Sequence, residues 1–324
     1  MEGCVNIDEL LGPAVPELTA VEKMIRDSLD SGDDQLSPAA AHLLNHGGKR
    51  LRPALVILSA LCYSYDPRKV IPVAAAVEMI HTATLIHDDI IDGSETRRGL
   101  PSVHSKWGTR TALLAGDYLF ARAFVMLCGV APVALAGLAS AAEEMCAGQA
   151  REATGGDYMD RIRRKTAEFL SECCRIGSIL GRAPSAAVNA LACYGRLLGI
   201  AFQITDDVLD LFGDPAETGK PAGTDLREGL LTLPIVRCLR TSPRSHRLRG
   251  LLKSLVRQHR EGTADLGDLA EALSILRESD SADYCAGVAR AFARAASDQL
   301  AVVRPCEART SLERLSEFII ARTH

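Results

Sequence analysis

Residues 81–92 read HTATLIHDDIID, and residues 199–210 read GIAFQITDDVLD. Each ends in the pattern DDxxD, formed by Asp88, Asp89 and Asp92 in the first copy and by Asp206, Asp207 and Asp210 in the second. The residues before each cluster are mostly apolar and read as helix. At 3.6 residues per turn the first and last aspartates of a copy share one helix face, a turn apart. Like charges at that spacing repel, and the flanking sequence favours burial. A buried carboxylate must be paired or must hold a cation. Magnesium prefers carboxylate and water oxygens and bridges to substrate phosphates. Two such helices brought face to face would make a carboxylate cage for a diphosphate held through metal ions. A single DDxxD is commonly a solvated helix face; two copies, each in an apolar helix, fit that account poorly.

Outward from the clusters, helical periodicity dominates. The pattern predicts helices at 18–30, 38–46, 50–63, 70–92, 109–128, 133–153, 159–180, 185–212, 229–240, 247–260, 266–278, 281–302 and 309–322. Breaks fall at Asp66-Pro67, Gly99-Leu100-Pro101, Gly155-Gly156 and Gly213-Asp214-Pro215. No run alternates as a regular strand. The expectation is an all-α protein, one helical bundle spanning residues 1–324. Hydrophobic residues make up 47% and aromatics only 4%, so the apolar content is chiefly Ala, Leu, Val and Ile, which leans helical. A net charge of -4 gives no reason to expect a nucleic-acid partner. Residues 123–142 lack charge over a length that could span a bilayer. Gly129-Val130-Ala131-Pro132 breaks them, so the reading is one helix end, a turn and a new helix, with no transmembrane span. The N-terminal residues include Glu2, Asp8 and Glu9 and lack the basic and apolar regions of a signal peptide. The ten cysteines form no CxxC pair and no zinc spacing, which suits reduced thiols in a cytoplasmic protein.

Cations gather near the predicted ends of the aspartate helices. Gly47-Gly48-Lys49-Arg50-Leu51-Arg52-Pro53 sets three of them after a glycine pair and before an apolar helix, a ready phosphate site or simply a basic first turn. Arg97 and Arg98 follow the first cluster, Lys165-Thr166 follows a basic run, and Lys220 follows the second cluster. Taken singly, each reads as a surface charge; together they could serve two diphosphates. His81 alone reads as a core histidine, and Gln203, one turn before Asp207, as a helix-face amide. Glu78 and His81 also spell ExxH, but a di-iron bundle needs two copies and no other histidine has a glutamate three residues before it. Residues 229–260 hold eight Lys/Arg and no Asp or Glu. That stretch is either a solvated basic face or a contact surface for anionic membrane or a partner subunit.

In these motifs the chain resembles the trans-polyprenyl diphosphate synthases, which include farnesyl, geranylgeranyl and longer-chain enzymes. The resemblance rests on GGKRLRP at 47–53, EMIHTATLIHDDIIDGSETRRG at 78–99, GDYLFARAF at 116–124, KTA at 165–167, QITDDVLDLFGD at 203–214 and GKPAGTDLREGLLTLP at 219–234. It implies the all-α isoprenoid synthase fold around a deep cavity, and Mg2+ at Asp88 and Asp92 with Asp206 and Asp210, Asp89 and Asp207 completing the motifs. It further implies that Lys49, Arg52, His81 and Arg98 hold isopentenyl diphosphate. Arg97, Lys165, Thr166, Gln203 and Lys220 would hold the allylic diphosphate. Arg97, Lys165 and Lys220, with the aspartates, would then take part in catalysis.

Within the family, short-chain enzymes tend to carry bulky aromatics four or five residues before the first aspartate, where this chain has Thr84 and Ala83. That small floor resembles the long-chain synthases. The N-terminal segment IDELLGPAVPELTAVEKMI looks like the catalytic component of heptaprenyl synthases, some of which need a small partner subunit. A homodimer is the other expected assembly, and a geranylgeranyl- or farnesyl-type product the alternative outcome. A terpene cyclase would share the metal logic but has less need of a second cationic site. A non-catalytic subunit would be expected to have lost one aspartate cluster.

Overall fold

The computed structural model describes residues 7–30, 36–45, 48–154, 156–213, 222–261, 263 and 265–321. In chain order the helices are α1 (Ile7–Leu11), α2 (Val15–Leu29), α3 (Leu36–Leu44), α4 (Leu51–Leu61), α5 (Pro67–Ile91), α6 (Val103–Trp107), α7 (Thr109–Cys128) and α8 (Pro132–Thr154). There follow α9 (Tyr158–Ile162), a π-helical turn over Arg163–Ala167, α10 (Glu168–Leu180), α11 (Ser185–Phe212) and α12 (Thr224–Glu228). The remainder are α13 (Leu233–Thr241), α14 (Ser245–Arg260), α15 (Leu266–Arg277), α16 (Ser281–Gln299) and α17 (Glu307–Ala321). The all-α expectation holds. The contacts sort into two compact units, residues 1–144, 168–196 and 297–315 in one, and residues 145–167, 197–296 and 316–324 in the other.

In the first unit α5 is the central helix. The Asp66 side chain caps its start by accepting the Arg68 N–H at 3.1 Å, and Pro67 takes the first position, where no amide partner is lost. Residues from Val70 to Ile80 are buried on every side, as befits a helix wrapped by neighbours. It packs on α2, α4 and α7, and α4 packs in turn on α10. A Cβ at Gly177 would stand 2.2 Å from the Val56 carbonyl oxygen, so only glycine lets α10 approach the α4 backbone.

Three helices, α5, α7 and α11, are long and apolar enough to cross a membrane by length and composition. The protein itself covers 78% of the apolar window in α5 but only 33% of that in α7, so α7 keeps an apolar face outward. The charge-free stretch divides as the sequence suggests, α7 ending at Cys128 and α8 starting at Pro132.

In the second unit Leu248, Leu251, Leu252 and Leu255 of α14 join Leu226, Ile235, Leu273 and Leu276 in one apolar cluster. Tyr158, Ile162, Ile200, Ile204, Val208 and Ala289 form another. The nine described cysteines are all free thiols.

Two local departures from the sequence reading matter for the site. The predicted helix 159–180 is broken by the π-helical turn, a distortion often found at functional positions. After the first aspartate cluster the chain makes a minimal hairpin, pairing Thr96 with Pro101 and Arg97 with Leu100. Arg98 and Gly99 form its turn with φ of 54° and 76°. Positive φ at both centres is the geometry that suits the twist of a tight hairpin.

Candidate active site

The first aspartate cluster lies in the first unit. Asp88, Asp89 and Asp92 occupy the end of α5, where Asp92 caps the helix through its N–H to the Asp88 carbonyl at 2.8 Å. That end carries the negative pole of the helix dipole and unsatisfied carbonyls. Acidic groups are therefore misplaced there, and no basic residue stands in the last turn. Asp88 and Asp92 are half-exposed on one face, whereas Asp89 is fully buried. Asp89 Oδ1 accepts from Arg97 Nε at 2.8 Å, and Arg97 Nη2 also donates to it. Its Oδ2 is buried with no hydrogen-bond partner among the described residues. The hairpin thus carries Arg97 back onto the motif.

The GGKRLRP segment meets this helix from the other side of the sequence. Arg52 Nη1 lies 2.9 Å from His81 Nε2. Burial, and then the guanidinium groups of Arg52, Arg98, Arg97 and Arg50, push the His81 imidazole well below its ordinary range. His81 is therefore neutral, and its Nε2 accepts the Arg52 proton. Arg98 is exposed but reaches the same loop: a Cβ on Gly48 would stand 2.8 Å from its Nη1. The structure so brings together Arg52, His81, Arg98 and the loop bearing exposed Lys49. Arg50 departs from the expectation of three cations facing a phosphate. Its φ of 45° turns it inward, where Nη1 donates to buried Glu78 at 2.7 Å, Nε donates to Glu22 at 3.1 Å and Nη2 donates to the Leu44 carbonyl. It is a strut under the loop, not part of its face.

The second aspartate cluster lies in the second unit. Asp206, Asp207 and Asp210 sit in the last turns of α11, again with no basic residue in the last turn. Asp206 and Asp210 are half-exposed, while Asp207 is 5% exposed. Burial pushes Asp207 up to about 7, against the hydrogen bonds that favour its ionised form. Those come from Tyr158 Oη at 2.6 Å and Gln203 Nε2 at 2.9 Å. Thr166 Oγ1 in turn donates to Gln203 Oε1 at 2.9 Å. A chain of hydrogen bonds therefore ties the π-helical turn, which holds Lys165, to the second motif. The backbone there is tightly seated, since a Cβ at Gly148 would stand 2.8 Å from Lys165 N. Tyr158 was not singled out in the sequence; its place seven residues before Lys165 gave no spacing signal. Lys220 lies outside the described residues.

No group of three or more His, Cys, Asp or Glu side chains among the described residues is disposed to hold a metal by itself. Magnesium does not require one, because it is commonly held by one or two carboxylates plus water and substrate phosphates. The donor chemistry fits: all-oxygen ligands, two half-exposed carboxylates a turn apart in each motif, and an orphaned carboxylate oxygen on Asp89.

Ala83 is fully buried, and Thr84 is half-buried with Oγ1 donating to the His81 carbonyl at 2.7 Å. His87, one turn beyond Ala83, rests on α7 with Nε2 3.1 Å from the Leu113 carbonyl. Ala83 therefore shares the helix face that packs on α7.

The family model described as polyprenyl synthetase matches residues 33–273. The chain belongs to that family. It is 38% identical over 94% of its length, and 95% of the relative's, to a short chain isoprenyl diphosphate synthase of Methanothermobacter thermautotrophicus. It is 36% identical to heptaprenyl diphosphate synthase component 2 of Geobacillus stearothermophilus, over 82% of this chain and 83% of that one. Among solved structures, the polyprenyl synthase of Caulobacter crescentus CB15, complexed with calcium and isoprenyl diphosphate, superposes with a TM-score of 0.89. It is 33% identical and covers 98% of both chains. The family's activity is prenyl transfer, and the chain is a prenyl diphosphate synthase.

Proposed function

We propose that this synthase joins isopentenyl diphosphate head to tail to an allylic diphosphate, with Mg2+ as its metal, and that it builds a long polyprenyl chain in the cytoplasm. One observation carries the reading. Acidic triplets crowd the C-terminal turns of two helices, while Arg52 and Arg98 gather around neutral His81, with exposed Lys49 on the adjoining loop. Asp88 and Asp92, and Asp206 and Asp210, would hold the metal, with Asp89 and Asp207 as their buried neighbours. Bound Mg2+ supplies electrostatic stabilisation of the departing diphosphate. Arg97, Lys165, Thr166, Gln203 and Lys220 hold the allylic diphosphate as its C–O bond breaks. Lys49, Arg52, His81 and Arg98 hold isopentenyl diphosphate, whose double bond attacks the allylic carbon; the resulting carbocation gives up a proton to the released diphosphate and regains a double bond. Incubating the purified protein with labelled isopentenyl diphosphate, an allylic primer and Mg2+, then sizing the products, tests the whole reading. Absence of prenyl products would sink it.

The two-substrate assignment has its own test. Lys49→Ala or Arg52→Ala is expected to raise KM for isopentenyl diphosphate by about tenfold or more, from roughly 1.5–3 kcal/mol per charge-assisted contact. Lys165→Ala is expected to act on the allylic KM instead. Equal effects on both substrates in every variant would show that the assignment is wrong.

The long product is supported by Thr84 and Ala83, small residues where short-chain enzymes tend to be bulky. The relatives do not separate the alternatives, since short-chain and heptaprenyl enzymes stand at similar identity. Thr84 stands one turn before Asp88 on the same face, and a helical turn advances about 5.4 Å, close to one isoprene unit. Thr84→Phe is therefore expected to shorten the product while keeping turnover. Ala83→Phe would instead crowd α7, at about 1–3 kcal/mol of stability. Product chromatography decides, and unchanged long products from Thr84→Phe would place length control elsewhere. For assembly, a homodimer is favoured by the exposed Leu113, Leu114 and Val125 of α7. The relative named component 2 is what supports a small partner subunit as the second reading.

A further inference from the structure

The basic stretch is not used by the chemistry above, and the structure divides its charges into two kinds. Arg237 pairs with Asp280, Arg244 with Glu278 and Glu271, and Arg247 with Glu271. Arg249, Lys253 and Arg257 are exposed and have no ion-pair partner among the described residues. All three lie on α14 at intervals of one turn. At 100° per residue they fall on the side opposite Leu248, Leu251, Leu252 and Leu255, which are buried in the apolar cluster of the second unit. His246 shares their arc and is also exposed. Glu261, just past the helix, is exposed and forms no ion pair with Arg257 among the described contacts. From His246 to Arg257 the stripe runs about 17 Å along the helix.

Like charges a turn apart repel one another. The same unit supplies carboxylates to three neighbouring arginines and none to these three cations. The whole chain is acidic, with a net charge of -4, so the stripe is a local reversal of sign. Such a face is complementary to a polyanionic surface.

We propose that α14 docks this synthase on anionic lipid bilayers through Arg249, Lys253 and Arg257. The apolar side of the helix is already committed to the core, so the contact is electrostatic and peripheral, without insertion. Several features favour a bilayer over other polyanions. The stripe lies on one unbroken helix, and α14 contains no Phe, Tyr or Trp on which unpaired bases could stack. The choice of a lipid surface also rests on the function proposed above, whose apolar product is at home in a membrane; the cationic surface itself does not.

Cosedimentation of the full-length protein with vesicles tests this, without substrate present. The protein should pellet with phosphatidylcholine vesicles that contain phosphatidylserine and stay in solution with phosphatidylcholine alone. Rising salt should release it. Arg249→Gln, Lys253→Gln and Arg257→Gln together should weaken binding on the order of a hundredfold. Prenyl transfer in vesicle-free solution should be unchanged in that variant. Arg244→Gln with Arg247→Gln, which touches only paired cations, should leave vesicle binding nearly intact. Equal pelleting with both vesicle types, or with neither, would overturn the proposal, and needs only the wild-type protein. Capture by RNA or by polyglutamate, with no vesicle binding, would overturn it in favour of a nucleic-acid or protein partner. Selective vesicle binding by a protein that transfers no prenyl group would uphold the surface and sink the enzymatic reading instead.

Discussion

Asp88→Ala is expected to cut turnover by about a thousandfold while leaving the helical fold intact. The rate loss follows if Asp88 holds the metal as proposed, since metal stabilisation of leaving-group charge is worth several kcal/mol; roughly 4 kcal/mol is a factor of about a thousand. The stability expectation follows from position. Asp88 stands in the final turn of α5, next to Asp89 and Asp92, with no basic residue in that turn. Removing one negative charge from the negative end of a helix relieves repulsion worth about 0.3–1 kcal/mol. Asp206→Ala is expected to cut turnover alike; it stands earlier in α11, before the last turn, so the helix dipole contributes little to its stability change. Steady-state kinetics across Mg2+ concentrations, with thermal melts in metal-free buffer, check both halves. Near-normal turnover would remove the aspartates from the chemistry. A large drop in melting temperature with full activity would make them structural.

Glu78→Ala is expected to have the opposite signature, a loss of stability larger than its loss of rate. Glu78 and Arg50 have side chains 4% and 10% exposed and meet at 2.7 Å. Removing one partner of a buried pair leaves an uncompensated charge and costs about 3–5 kcal/mol. Arg50 keeps Glu22 and the Leu44 carbonyl, which places the cost near the lower end, at about 3 kcal/mol. Glu78→Gln keeps an acceptor for Nη1 and should lose less. The kinetic consequence should fall on one substrate. Lys49 and Arg52 flank Arg50, so loosening the strut should raise KM for isopentenyl diphosphate and spare kcat. Chemical denaturation and a two-substrate KM comparison would show this. An unchanged midpoint for Glu78→Ala would mean that the pair does not hold the loop.

Helix content and both aspartate clusters were legible because they are written in local periodicity. The helix read at 185–212 is the helix found, Ser185–Phe212. The roles of the middle aspartates were also within reach. A residue one step along a helix turns by about 100°, so Asp89 and Asp207 could not share the face of their outer neighbours. Gln203, one turn before Asp207, marked the side on which that carboxylate is tied. Arg50 was not legible. Its direction depends on a left-handed backbone conformation, and an arginine between two other cations carries no sign of it. The π-helical turn was hidden too, because RRKTA has the composition of ordinary helix and continues the apolar pattern on both sides. The minimal hairpin escaped for want of length: two residues per strand cannot show an alternation.

The turn of that hairpin sets two selective pressures against each other. Arg98 holds a left-handed backbone that costs an L-residue about 1–2 kcal/mol and costs glycine almost nothing. Among variants screened for melting temperature alone, Arg98→Gly should therefore prosper. Among variants screened for growth on scarce isopentenyl diphosphate, its proposed role in holding that substrate should keep the arginine. Mutational lineages kept under the two regimes would part at this codon, with heat tolerance and substrate affinity traded through one side chain.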